Sequence, residues 1–334
     1  MTIIPEIKSF AEDLTAIRHD LHAHPEIGFE EKRTAAIVAE ALKSYGVDEI
    51  HEGIGGTGVV GILRGTGGDG RTIGLRADMD ALPMEEFTNL PYRSTNPGRF
   101  HGCGHDGHTA MLLGAAQYLA ETRNFDGTVV VIFQPAEEGG GGGREMCEDG
   151  MMDRFGIQEV YGMHNWPGMP TGSFGIRPGS FFAATDQFDI TFEGRGGHAA
   201  KPHETVDTTV MAAQAVLALQ TITARNADPV EQIVVSVTAF ETSSKAFNVI
   251  PQRVQMKGTV RTMSADMRSL AEKRINEICN GIAGTFGGTA DVTYHRGYPV
   301  MVNHEEQTEF AADVARSISG DCVEAPLVMG GEDF

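Results

Sequence analysis

Two stretches limit the fold more than any others. GVVGILRG (58–65) and TIGLRADMDALP (72–83) are apolar on both faces of an extended chain. Strands of that kind need cover on both sides, as in a parallel sheet between helical layers. TAMLLGAAQYLAE (109–121) reads as a helix, GTVVVIFQPAEEGG (127–140) as a strand running into a loop, and VYGMHNW (160–166) as another short strand end. This alternation predicts an α/β domain with a mostly parallel sheet between helices. Upstream, residues 8–45 read as helix. Apolar residues recur at helical spacing at Leu14, Ile17 and Leu21, and again at Ala36, Val38 and Leu42; Pro25 breaks the ladder between them.

The pattern changes near residue 184. DQFDITFEGRGG alternates apolar and polar residues, and the helical run VDTTVMAAQAVLALQTITAR follows. Then come strands EQIVVSVTAFE and RVQMKGTVRT, a helix from Ala265 to Ile282 and a strand TADVTYHRG. The order β-α-β-β-α-β is that of a ferredoxin-like α+β plait with helices on one face. We therefore expect a first domain in two parts, 1–183 and 296–334, with a second domain, 184–295, inserted into it. A chain of 334 residues suits two domains.

Composition excludes several function classes. With 26 basic and 46 acidic residues, the formal charge is −20, so a polyanion such as DNA would be repelled and no nucleic-acid partner is expected. No apolar run reaches membrane-spanning length, and MTIIPEIKSF lacks the basic start and apolar core of a signal peptide. The expected compartment is the cytoplasm, with no membrane partner. The four cysteines, Cys103, Cys147, Cys279 and Cys322, are too dispersed for a disulfide scaffold, and all but Cys103 are expected to be buried thiols.

Polar clusters fall at the ends of the predicted strands, where open parallel sheets bind ligands. They are RADMD (76–80), CGHDGH (103–108), PAEE (135–138) and MHN (163–165). Cys103 and His105 offer a thiolate and an imidazole, the usual ligands of zinc and similar metals. Alone they would read as a buried thiol beside a capping histidine; beside three other clusters they read as ligands. Glu137 and Glu138 are adjacent, so they point to different sides. One can bind a metal while the other accepts a proton from water. The glycines after them are not followed by the Lys-Ser/Thr of a phosphate loop. Asp80 reads either as the carboxylate that orients a ligand histidine or as a turn residue, with Asp78 capping or pairing with Arg76. His164, taken alone, reads more readily as a core histidine than as a ligand; its place at the common strand edge makes the two readings even. In the second domain His198, in GRGGHAAKPH, reads on its own as part of a surface turn but could donate to a developing oxyanion, and Asn248 and Arg261 could bind a carboxylate.

RHDLHAHPEIGFEE, RADMDALP, HGCGHDGHTAMLLGAA, QPAEE, GMHNWP, GRGGHAAKPH and FNVIP occur in this order. Together they resemble the aminoacylase and hippurate hydrolase family, which includes hydrolases of indole-acetyl-amino acid conjugates. These are metal-dependent amidohydrolases of the carboxypeptidase-like metallopeptidase clan. The resemblance implies two divalent transition-metal ions, zinc, manganese, cobalt or nickel, held by Cys103, His105, Glu138 and His164, with His105 bridging them. It implies Glu137 as the general base, Asp80 as the residue orienting His105, and His198 as a lid-domain group reaching a neighbouring subunit's site. Asn248 and Arg261 would grip the substrate carboxylate. The second domain would be a lid and dimerisation domain, the substrate an N-acyl amino acid, and the assembly a homodimer. The rival readings are a dipeptidase or carboxypeptidase on the same scaffold, and a non-catalytic metal- or ligand-binding derivative. The family's catalytic domain continues past GGEDF and supplies one more ligand histidine. Here the last histidine is His304, so either a fragment or an incomplete second metal site is expected.

Overall fold

The computed structural model describes residues 4–334, and they form two compact units. The first runs to Phe174 and includes Ala315–Asp321 and Asp333–Phe334; the second is Gly175–Val314 with Cys322–Glu332.

In the first unit, helices α1 (Pro5–Ser9), α2 (Ala11–Ala23) and α3 (Lys32–Ser44) replace the single broken helix expected over 8–45. The break is a loop from His24 to Glu31, and the Glu26 carboxylate within it accepts from the Arg33 and Thr34 amides at 3.1 and 2.8 Å, capping α3. Then come β1 (Glu49–Ile54), β2 (Gly58–Arg64), β3 (Thr72–Asp78), α4 (His105–Thr122), β4 (Thr128–Gln134), α5 (Gly142–Glu148), α6 (Met151–Phe155) and β5 (Glu159–Gly162). The sheet order is β1-β2-β4-β3-β5. β3, β4 and β5 are parallel, β2 opposes β4, and β1 opposes β2, so four of the five strands share one direction.

Both faces of this sheet are covered. Val59 and Leu63 of β2 and Val131 and Phe133 of β4 face Val38 and Leu42 of α3 and Leu113 and Ala116 of α4. The alternate residues Val60, Ile62, Val130 and Ile132 pack on Met146, Met151 and Ile157. This is why these strands read as unbroken apolar runs. β1 has no such run: EIHEGI is mostly polar and lies at the sheet edge.

The second unit begins with β6 (Gly175–Ile176) and β7 (Gly179–Phe182), followed by β8 (Ala184–Glu193), β9 (Gly197–His198) and α7 (Thr208–Thr221). It continues with β10 (Ile233–Thr242), β11 (Val249–Ile250), β12 (Arg253–Thr262), α8 (Ala265–Phe286), β13 (Thr289–Arg296) and β14 (Met301–Asn303). Helix α9 (Glu305–Ser319) leads the chain back to the first unit, and β15 (Val323–Glu324) follows. β10-β12-β8-β13 form one antiparallel sheet. Its inward residues Phe188, Ile190, Phe192, Val254, Met256 and Val260 bury against Met211, Ala215, Ile275 and Cys279 of α7 and α8. α8 runs four residues beyond its expected end and stops at Gly287, whose φ of 78° suits a glycine cap. Of the three cysteines expected to be buried, only Cys279 is; Cys147 is exposed and Cys322 half-buried, because each lies outside the apolar faces. No helix among the described residues is long and apolar enough to cross a membrane.

One buried carboxylate fastens the second sheet to α8. Asp186 of β8 accepts from Arg268 at 2.6 Å, from Tyr294 Oη at 2.8 Å and from the Gly297 amide at 3.0 Å. Removing one partner of a buried ion pair costs about 3–5 kcal/mol, because the other charge stays buried and unpaired. Arg268→Met should lower the second unit's unfolding free energy in urea by that order, and its midpoint with it; an unchanged midpoint would show that the pair is not needed.

Candidate active site

Strand register brings the polar clusters together. Asp78 pairs with Gln134 across β3 and β4, and Arg76 with Gly162 across β3 and β5. The three strands therefore end side by side, and the residues just beyond them, Asp80, Glu137, Glu138 and His164, emerge at one edge. The loop that opens α4 delivers Cys103, and the first residue of α4 delivers His105, to the same place. Gly104 between them has φ of 95°, and a Cβ there would stand 2.6 Å from the Asn165 side chain, so only glycine fits this turn.

The start of α4 is moored to β3. Thr109 Oγ1 donates to the Asp78 carbonyl at 2.9 Å. The Asn165 amide donates to His108 Nε2 at 3.0 Å, so the His108 proton sits on Nδ1, which donates to Asp78 Oδ1 at 2.6 Å. Both His108 nitrogens are thus engaged, which makes it a strut between two strand ends. Asp78 also takes Arg76 at 2.8 Å. Burial would raise its carboxyl, but Arg76, His105 and His108 outweigh burial and hold it well below the usual range.

His105 is almost wholly buried. Its Nδ1 donates to Asp80 Oδ1 at 3.1 Å, and Asp80 Oδ2 accepts the Glu138 amide at 2.9 Å. One carboxylate therefore sets both the histidine ring and the backbone of the glutamate pair. With Nδ1 tied to Asp80, Nε2 is the His105 atom that faces the glutamate pair. That atom lies 4.0 Å from Glu137 Oε2 and 4.0 Å from Glu138 Oε1. Burial alone would lower the His105 pKa, but the Asp78 charge and the Asp80 hydrogen bond raise it well above the ordinary value. Burial pushes up both the Cys103 thiol and the Glu138 carboxyl. Cys103 Sγ is 3.3 Å from His164 Nε2, while His164 Nδ1 donates to the Asn165 carbonyl at 2.6 Å.

Three donor sets share His105: Cys103–His105–His164, His105–Glu137–Glu138 and Asp78–His105–His108, the ligand atoms of each lying within 4.8 Å of one another. His105 Nε2 and Glu138 Oε1 are buried with no hydrogen-bond partner. Such atoms are costly unless something else satisfies them. Sulfur, imidazole and carboxylate converging on two unbonded buried atoms fit transition-metal ions.

Beneath this site, Asp106 accepts from Arg18 Nε at 3.1 Å and from His22 Nδ1 at 3.0 Å, which pins α2 under the start of α4. His101 is buried, and burial brings its pKa down to about 4, so it is neutral at pH 7. Sequence reasoning missed His108 as a strut and Asp333 altogether. Asp333 accepts from Arg76 at 3.1 Å, Gln134 at 2.7 Å and the Gly143 amide at 2.9 Å. The spacing of His108, three residues after His105 on one helix, could have drawn attention to it; nothing local marks Asp333.

The other three candidates lie in the second unit. His198 and Asn248 are neighbours: β9 pairs with β11 through His198 and Val249, and the Ala199 amide donates to the Asn248 carbonyl at 2.9 Å. His198 is exposed, and its Nδ1 accepts the Ala200 amide at 3.1 Å. Arg261 lies elsewhere. It pairs with Thr185 at one end of β8, whereas Arg253, at the Asn248 end, pairs with Glu193. At the usual strand rise those ends are roughly 27 Å apart.

The protonation states give a test. At pH 7 the metal-free site holds His105 as imidazolium and Cys103 as thiol, and each must lose its proton to ligate. Metal uptake should release about two protons, and affinity should fall as pH drops below the His105 pKa. Calorimetry in buffers of different ionisation heat reads this directly. Asp80→Asn, which removes one support of the His105 charge, should reduce the release; no proton release in the parent protein would contradict the assigned states.

Residues 74–334 match the family model described as peptidase family M20/M25/M40. The chain is 43% identical to a hippurate hydrolase of Campylobacter jejuni, over 100% of this chain and 87% of that protein. It is 40% identical to thermostable carboxypeptidase 1 of Saccharolobus solfataricus, over 98% and 84%. Among solved structures, the Bacillus subtilis YXEP protein, described as a dinuclear metal binding peptidase, superposes with a TM-score of 0.83 at 35% identity, covering 98% of this chain and 85% of that one. On the family match and full-length identity together, the chain belongs to peptidase family M20/M25/M40.

Proposed function

We propose that this protein hydrolyses the amide bond of N-acyl amino acids, such as hippurate or N-acetyl-amino acids, releasing a carboxylic acid and a free amino acid. One observation carries the reading: His105 Nε2 and Glu138 Oε1 are buried and unbonded 4.0 Å apart, with Glu137 beside them. Cys103, His105, Glu138 and His164 would hold two divalent ions. The dinuclear description of the YXEP protein supports that number, and a thiolate ligand favours zinc, manganese, cobalt or nickel over magnesium or calcium. Bound there, such ions supply Lewis acidity, polarising the amide carbonyl and acidifying water.

The chain's own residues do the rest. Asp80 keeps the His105 ring in one tautomer and orientation. Glu137 takes the proton of the attacking water and returns it to the leaving amine. His198 donates to the oxygen that gains charge as the carbonyl becomes tetrahedral. Asn248 and Arg261 bind the substrate carboxylate. Because the strand separates them in one chain, a single carboxylate meets both only if two chains contribute. This supports a homodimer formed through residues 184–295, a ferredoxin-like lid domain inserted between 1–183 and 296–334, with His198 serving the partner's site. The carboxypeptidase relative favours a second reading, cleavage of peptides at the same centre; rates on hippurate, acetyl-amino acids and dipeptides separate the two.

Glu137→Gln should retain its metal and lose about 10²-fold or more in kcat. His198→Ala should also retain metal and lose about 10²–10³-fold. Mixing the two variants under subunit exchange should restore activity, since one site of each mixed dimer then has Glu137 from one chain and His198 from the other. Metal loss in Glu137→Gln would exchange the roles of Glu137 and Glu138, and no recovery after verified exchange would place His198 outside the partner's site.

A further inference from the structure

The EIGFEE segment (26–31) has a role that helix capping does not account for. It runs beside the exit of β3, where the Ala81 amide donates to the Glu26 carbonyl at 2.8 Å. Its last residue, Glu31, is fully buried. Glu31 Oε1 accepts the amide of Ala136 at 2.9 Å, and Oε2 accepts the Thr57 hydroxyl at 2.5 Å. Ala136 immediately precedes the two glutamates and has φ of 51°. A residue with a Cβ keeps that left-handed conformation only where its surroundings over-determine it. Here they do. Besides the Glu31 bond, the Ala136 carbonyl accepts the Gly142 amide at 3.2 Å, and Gly28 is so close that a Cβ on it would stand 3.0 Å from the Ala136 methyl.

We propose that Glu31 is a positioning residue: its buried carboxylate holds Ala136 left-handed and so aims Glu137 and Glu138 at the metal site. The glutamate pair is then held from both sides, by Glu31 at the residue before it and by Asp80 at the Glu138 amide. Releasing Ala136 would rotate the chain at the exit of β4 and displace both carboxylates together. A shift of about 1 Å in a reacting group can cost on the order of 10²-fold in rate, and loss of an orienting partner typically weakens metal binding by about 10- to 100-fold.

This inference rests on the assignment of Glu137 and Glu138 as base and ligand, and its test has a readout that does not need turnover. The whole chain is prepared as Glu31→Ala, Glu31→Gln, Ala136→Gly and Glu31→Ala with Ala136→Gly, and each is assayed for manganese retention against a chelator and for hippurate kcat and KM. Glu31→Ala should lose about tenfold or more in retention and about 10²-fold in kcat, with KM little changed. Glu31→Gln keeps an oxygen for the Ala136 amide and should stay close to the parent. Ala136→Gly alone should also stay close, since glycine adopts this φ without strain. In the Glu31→Ala background it should recover about tenfold of the loss, because the left-handed conformation no longer needs support. A general loss of packing would not be repaired by removing a methyl group. If Glu31→Ala does not fold, Glu31→Asp, whose shorter side chain falls short of the amide, takes its place. Glu31→Gln as damaged as Glu31→Ala, or no recovery on adding Ala136→Gly, would overturn the proposal. A parent that binds manganese but hydrolyses no N-acyl amino acid would overturn the proposed function instead, and the retention series would still decide the role of Glu31.

Discussion

The pairing of β4 with β3 and of β3 with β5 is the constraint on which the site depends. Since side chains alternate between faces, a slip of one residue in either pairing would exchange the apolar layers and scatter the residues that follow the strands. With Asp78 opposite Gln134 and Arg76 opposite Gly162, the chain leaves three strands at one level. Hydrophobic burial on both faces holds that register. Val130 and Ile132 face one layer and Val131 and Phe133 the other.

That edge carries an unusual number of buried carboxylates, each of which would be costly if unpaired. Their partners define the architecture. Asp78 takes Arg76 and His108, Asp80 takes His105 and the Glu138 amide, Asp106 takes Arg18 and His22, and Asp333 takes Arg76, Gln134 and the Gly143 amide. Among the buried side-chain atoms left without a hydrogen bond, as Asp106 Oδ1 and both His101 nitrogens also are, His105 Nε2 and Glu138 Oε1 face each other at 4.0 Å. An imidazole nitrogen and a carboxylate oxygen facing each other beside Cys103, Glu137 and His164 suit a scaffold organised around a cation.

Much of this was legible in the chain. The strands with apolar residues on both faces, helix α4 and the alternating strands of the second sheet all carry their period openly, and the four polar clusters do gather at one strand edge. What escaped was set by contacts distant in sequence. β1 is too polar at its edge position to show strand character. Helix α5 opens on glycines, Gly142 and Gly143, which carry no helical signal. Asp333 meets Arg76 across 257 residues. The left-handed Ala136 could not have been read at all, since alanine has no preference for that conformation and its tertiary partners impose it. The orientation of His105 was hidden for a related reason: a sequence shows two ring nitrogens, and only the fold shows that one belongs to Asp80.

The central claim, that Cys103, His105, Glu138 and His164 form a metal centre, predicts a specific set of atoms around the ion. The X-ray absorption spectrum at the zinc edge, recorded on protein loaded with two equivalents of zinc, tests it most directly. The account predicts a sulfur scatterer at about 2.3 Å among nitrogen and oxygen neighbours at about 2.0–2.2 Å, with the sulfur lost in Cys103→Ser. A shell of nitrogen and oxygen alone in the parent protein, or sulfur that persists in Cys103→Ser, would contradict it.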